Sequence, residues 1–311
     1  MYLSIAMKKS QCRLLREKSN KIAIVHAYAD GPYDRSSFHL AGNPGAVADV
    51  ASSLALHSIE GLLSLPKLPD VEVSRHPFVG LVDHVSVMPL LLTETGTSSD
   101  ASPHGEAALH IGSRLQASGV QVFFYGDAHP EKTPLAVIRR EKTHFFRSGG
   151  LQQPKNDALA SGTTAKGVAT VGATTMFVEN FNIRLTPNCD LKVARSLTSF
   201  LRERDGGLLG VEGLTLPYGN KRYEMAGNLL RPDVSSAGEV LSKLDEWVQQ
   251  TLKELQFEKK SDLVEAAYRV GTTAEQCLKA VAQCDSEEAM HCLDQLVIEQ
   301  FRGYLSDAMP L

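Results

Sequence analysis

The sequence predicts an α/β (α+β) protein of two lobes, and three observations carry that expectation. Short β-branched runs alternate with stretches of helical apolar spacing along most of the chain. The second half orders these pieces as strand, helix, two strands, helix, strand. Between the halves, residues 141–166 have no periodicity and are rich in Gly, Ser, Thr and Lys, the composition of a connecting loop of functional length.

In the first half, the run Ile22 to Tyr28 (IAIVHAY) reads as a strand, and Asp30-Gly31-Pro32 ends it as a turn. A second short strand fits Ser37 to Ala41. Asn43-Pro44 then supplies a helix cap and a first-turn proline. Val47, Val50, Ala51, Leu54, Ile59, Leu62 and Leu63 follow at helical spacing until Pro66. Val79 to Leu92 reads as a long buried strand. Ser102-Pro103 opens another helix with Ala108, Ile111 and Leu115 on one face and Gly119 as its stop. Val120 to Tyr125 is again a strand.

The second half opens with a strand over Ala169 to Leu185, then a helix over Leu191 to Arg204. Strands are predicted over Leu209 to Leu216 and Tyr223 to Leu230. A helix from Ser236 to Leu255 carries Leu241, Leu244, Trp247, Val248 and Leu252 as its apolar stripe. Leu263 to Val270 closes the set. This order, βαββαβ, is that of the ferredoxin-like split unit. The first half shows the same order from its second strand onward, so it is predicted to be a ferredoxin-like lobe lacking its opening strand. Lobes at 1–167 and 168–272 and a helical tail at 273–311 complete the expected organisation.

Composition excludes several classes. Hydrophobic residues make 43% of the 311 and charged residues 22%, the usual globular mix, so disordered and fibrous proteins are excluded. A net charge of -4 gives no general attraction to nucleic acid or anionic membrane. No apolar run reaches the roughly 20 residues of a membrane span. The basic first twenty residues fit an amphipathic helix better than a transit peptide. Cys12, Cys189, Cys277, Cys284 and Cys292 are odd in number and contain no CxxC pair, which argues against a disulfide framework or zinc ribbon. Cys277 and Cys284 fit one helix face as buried thiols. The expectation is a reducing, cytoplasmic setting.

Among ten histidines, His76 stands out by context. It precedes a proline, which biases it toward extended backbone, and it enters the predicted long strand. Asp83 follows on a run made largely of Val, Leu and Met. An unpaired carboxylate is costly there, so Asp83 needs a backbone N–H, an arginine or a ligand amine. Gly167 and Gly172 leave room either for a ligand against the backbone or for a tight strand crossing. His84, His104, His110 and His129 show no metal-ligand spacing.

The segment His76-Pro77-Phe78-Val79-Gly80-Leu81-Val82-Asp83, ending at Pro89, resembles the His-Pro-Arg-Met-Gly-Ala-x-Asp segment of glutamate formiminotransferases. Four further segments resemble that family in the same order. They are Asp30-Gly31-Pro32 with Asp34-Arg35-Ser36, Tyr125-Gly126-Asp127, Leu135 to Arg139 (LAVIR), and Gly167 to Leu185 (GVATVGATTMFVENFNIRL). Together they span roughly residues 20–272. The resemblance implies two βαββαβ-like lobes with folate between them. It also implies transfer of a formimino or formyl group between glutamate and N5 of tetrahydrofolate, with His76 as the catalytic residue. An imidazole titrating near neutrality can take the N5 proton and give it to the departing nitrogen.

Arg35 and Arg139 match family arginines and are expected either to grip substrate carboxylates or to make surface salt bridges. Asp83 is expected to stabilise the imidazolium or orient a folate N–H. The implied partners are a folate, with tetrahydrofolate as substrate or ligand, and an amino-acid one-carbon donor. A homodimer is an analogy with the family alone. Phe78 replaces the family's arginine after His-Pro, Ser86-Val87 replace its Pro-Phe, and Thr174 replaces the arginine of its Gly-Ala-Arg. The loop from Asn156 to Lys166 departs from its folate-contacting segment, and the opening strand with its Asn-Phe-Ser-Glu-Gly signature is absent. These departures favour two alternatives: a non-catalytic folate-binding or regulatory protein, and a structural or partner-binding descendant.

Overall fold

The computed structural model describes residues 22–33, 35–63, 76–90, 102–143, 145, 166–219 and 221–283. The chain forms two compact units, one holding residues up to Thr175 together with those from Ala274, the other Met176–Thr273. The expected N-terminal helix, most of the 141–166 connection and the second piece of the tail lie outside the described residues, as do Cys12, Cys284 and Cys292.

In the first unit, β1 (Ile22–Asp30) and β2 (Arg35–Gly42) form an antiparallel hairpin. The Asp30 carboxylate shapes its turn by accepting from the Tyr33 N–H at 3.1 Å. The helix α1 (Pro44–Leu63) follows. It is long and apolar enough to cross a membrane by length and composition, a feature that inspection of apolar runs misses. Here Ala48, Ala55 and Ile59 bury one side of it in the core that it shares with α2 (Pro103–Ala117). Ser52 and Ser58 turn their hydroxyls back onto α1's own carbonyls, which satisfies two buried polar groups.

The strand predicted over Val79 to Leu92 is much shorter, with β3 covering only His84–Val87. The cause is local: the Asp83 carboxylate accepts from the Val79 N–H at 2.8 Å, which bends 79–83 out of extended geometry. β3 pairs in parallel with β5 (Val168–Ala173), and β5 in parallel with β4 (Gln121–Gly126). In place of one sheet, the first unit therefore holds the hairpin and a separate parallel sheet in the order β3-β5-β4. Among the described residues no ladder joins β2 to β3. Val85, Val87, Val122, Phe124, Ala169, Val171 and Ala173 turn one face of that sheet into the core with α1 and α2. The alternation of side chains leaves His84, Ser86, Thr170, Gly172 and Tyr125 on the other face. The short helix α3 (Leu135–Lys142) places Ile138 and Arg139 in buried positions.

The run Ala169 to Leu185 is not one strand. It breaks after Ala173, and β6 (Glu179–Leu185) belongs to a different sheet in the second unit. The second unit continues with α4 (Leu191–Leu201), β7 (Val211–Tyr218), β8 (Arg222–Leu229), α5 (Ala237–Leu255) and β9 (Val264–Val270), the βαββαβ order that the periodicity predicts. Its antiparallel sheet runs β7-β8-β6-β9. Phe181, Ile183, Leu185, Met225 and Leu229 face Leu197, Leu201, Leu244 and Trp247 of the two helices. Ser236 opens α5 with a capping box closed by Glu239, which satisfies helix-end N–H groups that would otherwise be orphans. α6 (Ala274–Gln283) belongs to the first unit and packs on β1 and β2.

Candidate functional site

Four residues far apart in sequence meet in the first unit. Arg35 starts β2, His76 and Asp83 flank the bend before β3, and Arg139 sits on α3. Asp83 is the hub. Its Oδ2 accepts from Nη2 of Arg35 and, at 2.9 Å, from Nη2 of Arg139, while Oδ1 takes the Val79 N–H. Asp83 also anchors the sheet through its backbone, where its carbonyl accepts from the Thr170 N–H and hydroxyl. Two arginine charges beside it hold its carboxyl down to about 2 against the upward pull of burial.

The cluster is fixed from several sides. The Arg139 guanidinium donates to the Thr170 hydroxyl at 3.3 Å and lies 4.1 Å from the centre of the Phe145 ring. Its Nε is buried without a hydrogen-bond partner. The Tyr33 ring meets His76 edge-on at 5.3 Å between centroids, and Phe145 approaches the same imidazole at 6.4 Å.

The protonation of His76 follows from its neighbours. Nδ1 lies 2.7 Å from the Pro77 carbonyl oxygen, and Nη1 of Arg35 lies within 3.0 Å of Nε2 and 2.7 Å of Nδ1. A carbonyl only accepts and a guanidinium only donates. The ring proton is therefore assigned to Nδ1, donating to Pro77, so Nη1, although nearer Nδ1, can donate only to the Nε2 lone pair. Burial first and Arg35 second push the imidazole down to about 3, against the opposite pull of the Pro77 carbonyl and Asp83. His76 is thus neutral throughout the physiological range. Among the described residues, one carboxylate and two guanidinium groups surround it, a net charge of +1.

His76, Arg35, Asp83 and Arg139 are brought together; the two glycines stand apart from the cluster. Gly167 has φ +87° and open space where a side chain would be, so it serves the backbone of a turn. At Gly172 a Cβ would meet the Tyr125 carbonyl oxygen at 2.4 Å and its ring at 2.5 Å. The missing side chain gives Tyr125 its path across β5. The Tyr125 hydroxyl then reaches Nε2 of His84 at 2.8 Å. The sequence assigns no site role to His84, Tyr125, Thr170 or Phe145, although Tyr125 lies in one of the family-like motifs; only alternation along β3, β4 and β5 puts the first three on one face. Of the departures from the family pattern, Thr174 donates its N–H to the Val87 carbonyl, and the loop 156–165 lies outside the described residues.

The fold and the site define an α/β protein whose first unit holds a histidine against an arginine–carboxylate–arginine cluster. The formiminotransferase domain, N-terminal subdomain, matches residues 5–174, more than half of the chain and every residue of the cluster. The chain belongs to the formiminotransferase family. It is similar to a formiminotransferase cyclodeaminase-like protein of Arabidopsis thaliana, with 29% identity over 258 residues that cover 77% of this chain and 84% of that protein.

Proposed function

We propose that the protein transfers a formimino or formyl group between glutamate and N5 of tetrahydrofolate, with His76 as proton carrier. The observation that carries this reading is the positively charged cluster around His76, assembled from the motifs that resemble the family's. Both substrates are carboxylates, and Arg35 and Arg139 supply charge-assisted donors for them. In the forward direction the N5 lone pair attacks the one-carbon unit, and the N5 proton passes to Nε2 of His76. The bond from carbon to the glutamate nitrogen then breaks, and that nitrogen takes the same proton back. The imidazole ends as it began, so one histidine suffices.

A second reading, a folate-binding protein without turnover, is favoured by one observation. Nε2, the nitrogen that the step needs, faces Arg35 in the unliganded protein. Calorimetric titration with tetrahydrofolate and 5-formyl-tetrahydrofolate, followed by a transfer assay with N-formimino-glutamate, separates the readings. Binding with turnover is expected. Binding without turnover leaves the second reading, and no binding of either folate removes both.

A further inference from the structure

Both nitrogens of His76 are engaged: Nδ1 donates to Pro77, and Nη1 of Arg35 lies across the ring edge, 2.7 Å from Nδ1 and 3.0 Å from Nε2, where only the Nε2 lone pair can accept from it. The two arginines beside it differ in their freedom. Arg139 is pinned by Asp83, Thr170 and the Phe145 ring, and its side chain is 10% exposed. Arg35 is held by Asp83 and His76 and is 29% exposed, so an anion arriving from solvent meets it first. A guanidinium hydrogen bond to a neutral imidazole is also weaker than one to a carboxylate. A carboxylate ligand therefore outcompetes His76 for Nη1.

We propose that Arg35 is a carboxylate-operated cover on His76, drawn off Nε2 by a carboxylate of the substrate and returned when the product leaves. The movement of Arg35 depends only on the geometry of the cluster; its use in catalysis rests on the one-carbon transfer argued above. Among the described residues, the charged and polar groups facing the imidazole are Arg35, Arg139, Asp83, the Pro77 carbonyl and Tyr33. Taking one guanidinium away from Nε2 and placing a carboxylate nearby both favour the protonated ring. His76 thus becomes a competent base only while a carboxylate substrate is bound. A donor without a carboxylate leaves the cover closed, so Arg35 selects for acidic substrates through the reactivity of His76 as well as through binding.

The test needs no folate, so its outcome is separate from the fate of the one-carbon reading. Imidazole signals are followed by NMR through a pH titration, with His76 assigned as the signal lost in His76→Asn. Without ligand His76 is expected not to titrate above about pH 5. Glutarate should raise its pKa by about one pH unit or more, and glutaramide, its uncharged counterpart, should not. In Arg35→Met the pKa should already be raised without ligand, and glutarate should add little. The proposal is overturned if glutarate up to tens of millimolar (about a hundred times a typical substrate affinity) leaves His76 unmoved, or if glutaramide acts as glutarate does. It is equally overturned if a folded Arg35→Met protein keeps the parent's titration. Should that variant not fold, the comparison of glutarate with glutaramide on the parent decides alone.

Discussion

Each unit buries a carboxylate on a strand or at its entrance, and the two are balanced differently. In the second unit Glu224, with no exposed surface, accepts from Asn182 at 2.8 Å, from Nε of Arg184 at 3.2 Å and from the Tyr268 hydroxyl at 2.5 Å. Arg184 in turn donates to Tyr268 at 2.6 Å and lies 3.9 Å from the centre of the Tyr218 ring. Arg184 also lies 4.0 Å from Glu265, which pairs with Arg222 at 2.5 Å, so among the described residues two carboxylates meet two guanidinium groups. In the first unit Asp83 meets two guanidinium groups and a neutral imidazole, and Arg139 Nε is left without a partner. A balanced buried set holds a sheet together. An unbalanced one keeps charge and donors in reserve, which is what a ligand uses.

If that contrast is right, the largest effect belongs to His76. His76→Ala should lower turnover roughly 10²–10⁴-fold while changing folate affinity little, and the unfolding midpoint should move little by comparison. Near-parental turnover in this variant would remove His76 from the chemistry. Glu224→Ala should do the reverse. It strands the donors of Asn182, Arg184 and Tyr268 in a buried setting and should cost about 3 kcal/mol of second-unit stability. Trp247, the one tryptophan of the chain and buried on α5 in the second unit, reports that unfolding by fluorescence in urea. A second-unit transition that does not move would show that Glu224 is not the structural anchor described here.

How much of this was legible in the sequence depended on the kind of signal. The stripe Leu244, Trp247 and Val248 with its Ser236 cap marked α5 because a long amphipathic helix repeats its signal over several turns. The break between β5 and β6 left no such mark. Residues 168–178 are β-branched and apolar nearly throughout, and a change of sheet within such a run has no period of its own. The helix α3, with eight residues of which three are basic, is too short for a helical repeat to stand out. At the site, Asp83's need for partners was readable from its apolar surroundings. The identity of those partners, 48 and 56 residues away, was not readable, because the family resemblance points Arg35 and Arg139 at substrate carboxylates and not at Asp83. Gly172 was readable as a place where something passes close to the backbone. That the passing group is Tyr125 on its way to His84 is a consequence of strand register, which no single segment encodes.

The smallest expected effect separates the units by pH. All the histidines within the described residues lie in the first unit, since the sequence between Met176 and Thr273 contains none. Burial and Arg35 take His76 down to about 3, burial and Arg139 take His84 down to about 3, and burial followed by His26 takes His39 down to about 4. All three values lie below the ordinary 6.5, so on acidification the unfolded chain takes up these protons before the folded one does. Their contribution to stability is therefore complete above pH 6.5 and declines as the pH falls toward 4 and then 3. Between pH 7 and 5.5 each should cost the first unit about 1 kcal/mol. Asp83, held down to about 2, keeps its own contribution until the pH falls below the ordinary carboxylate value, so it does not enter this window. Hydrogen-exchange protection factors, corrected for intrinsic rate at each pH, should thus fall by roughly two orders of magnitude in β4 and β5 between pH 7 and 5.5. Those in β6 and β8 should stay constant. An equal loss in both sheets would mean that the two units unfold as one, and an unchanged first unit would mean that His76, His84 and His39 are not desolvated as the structure has them.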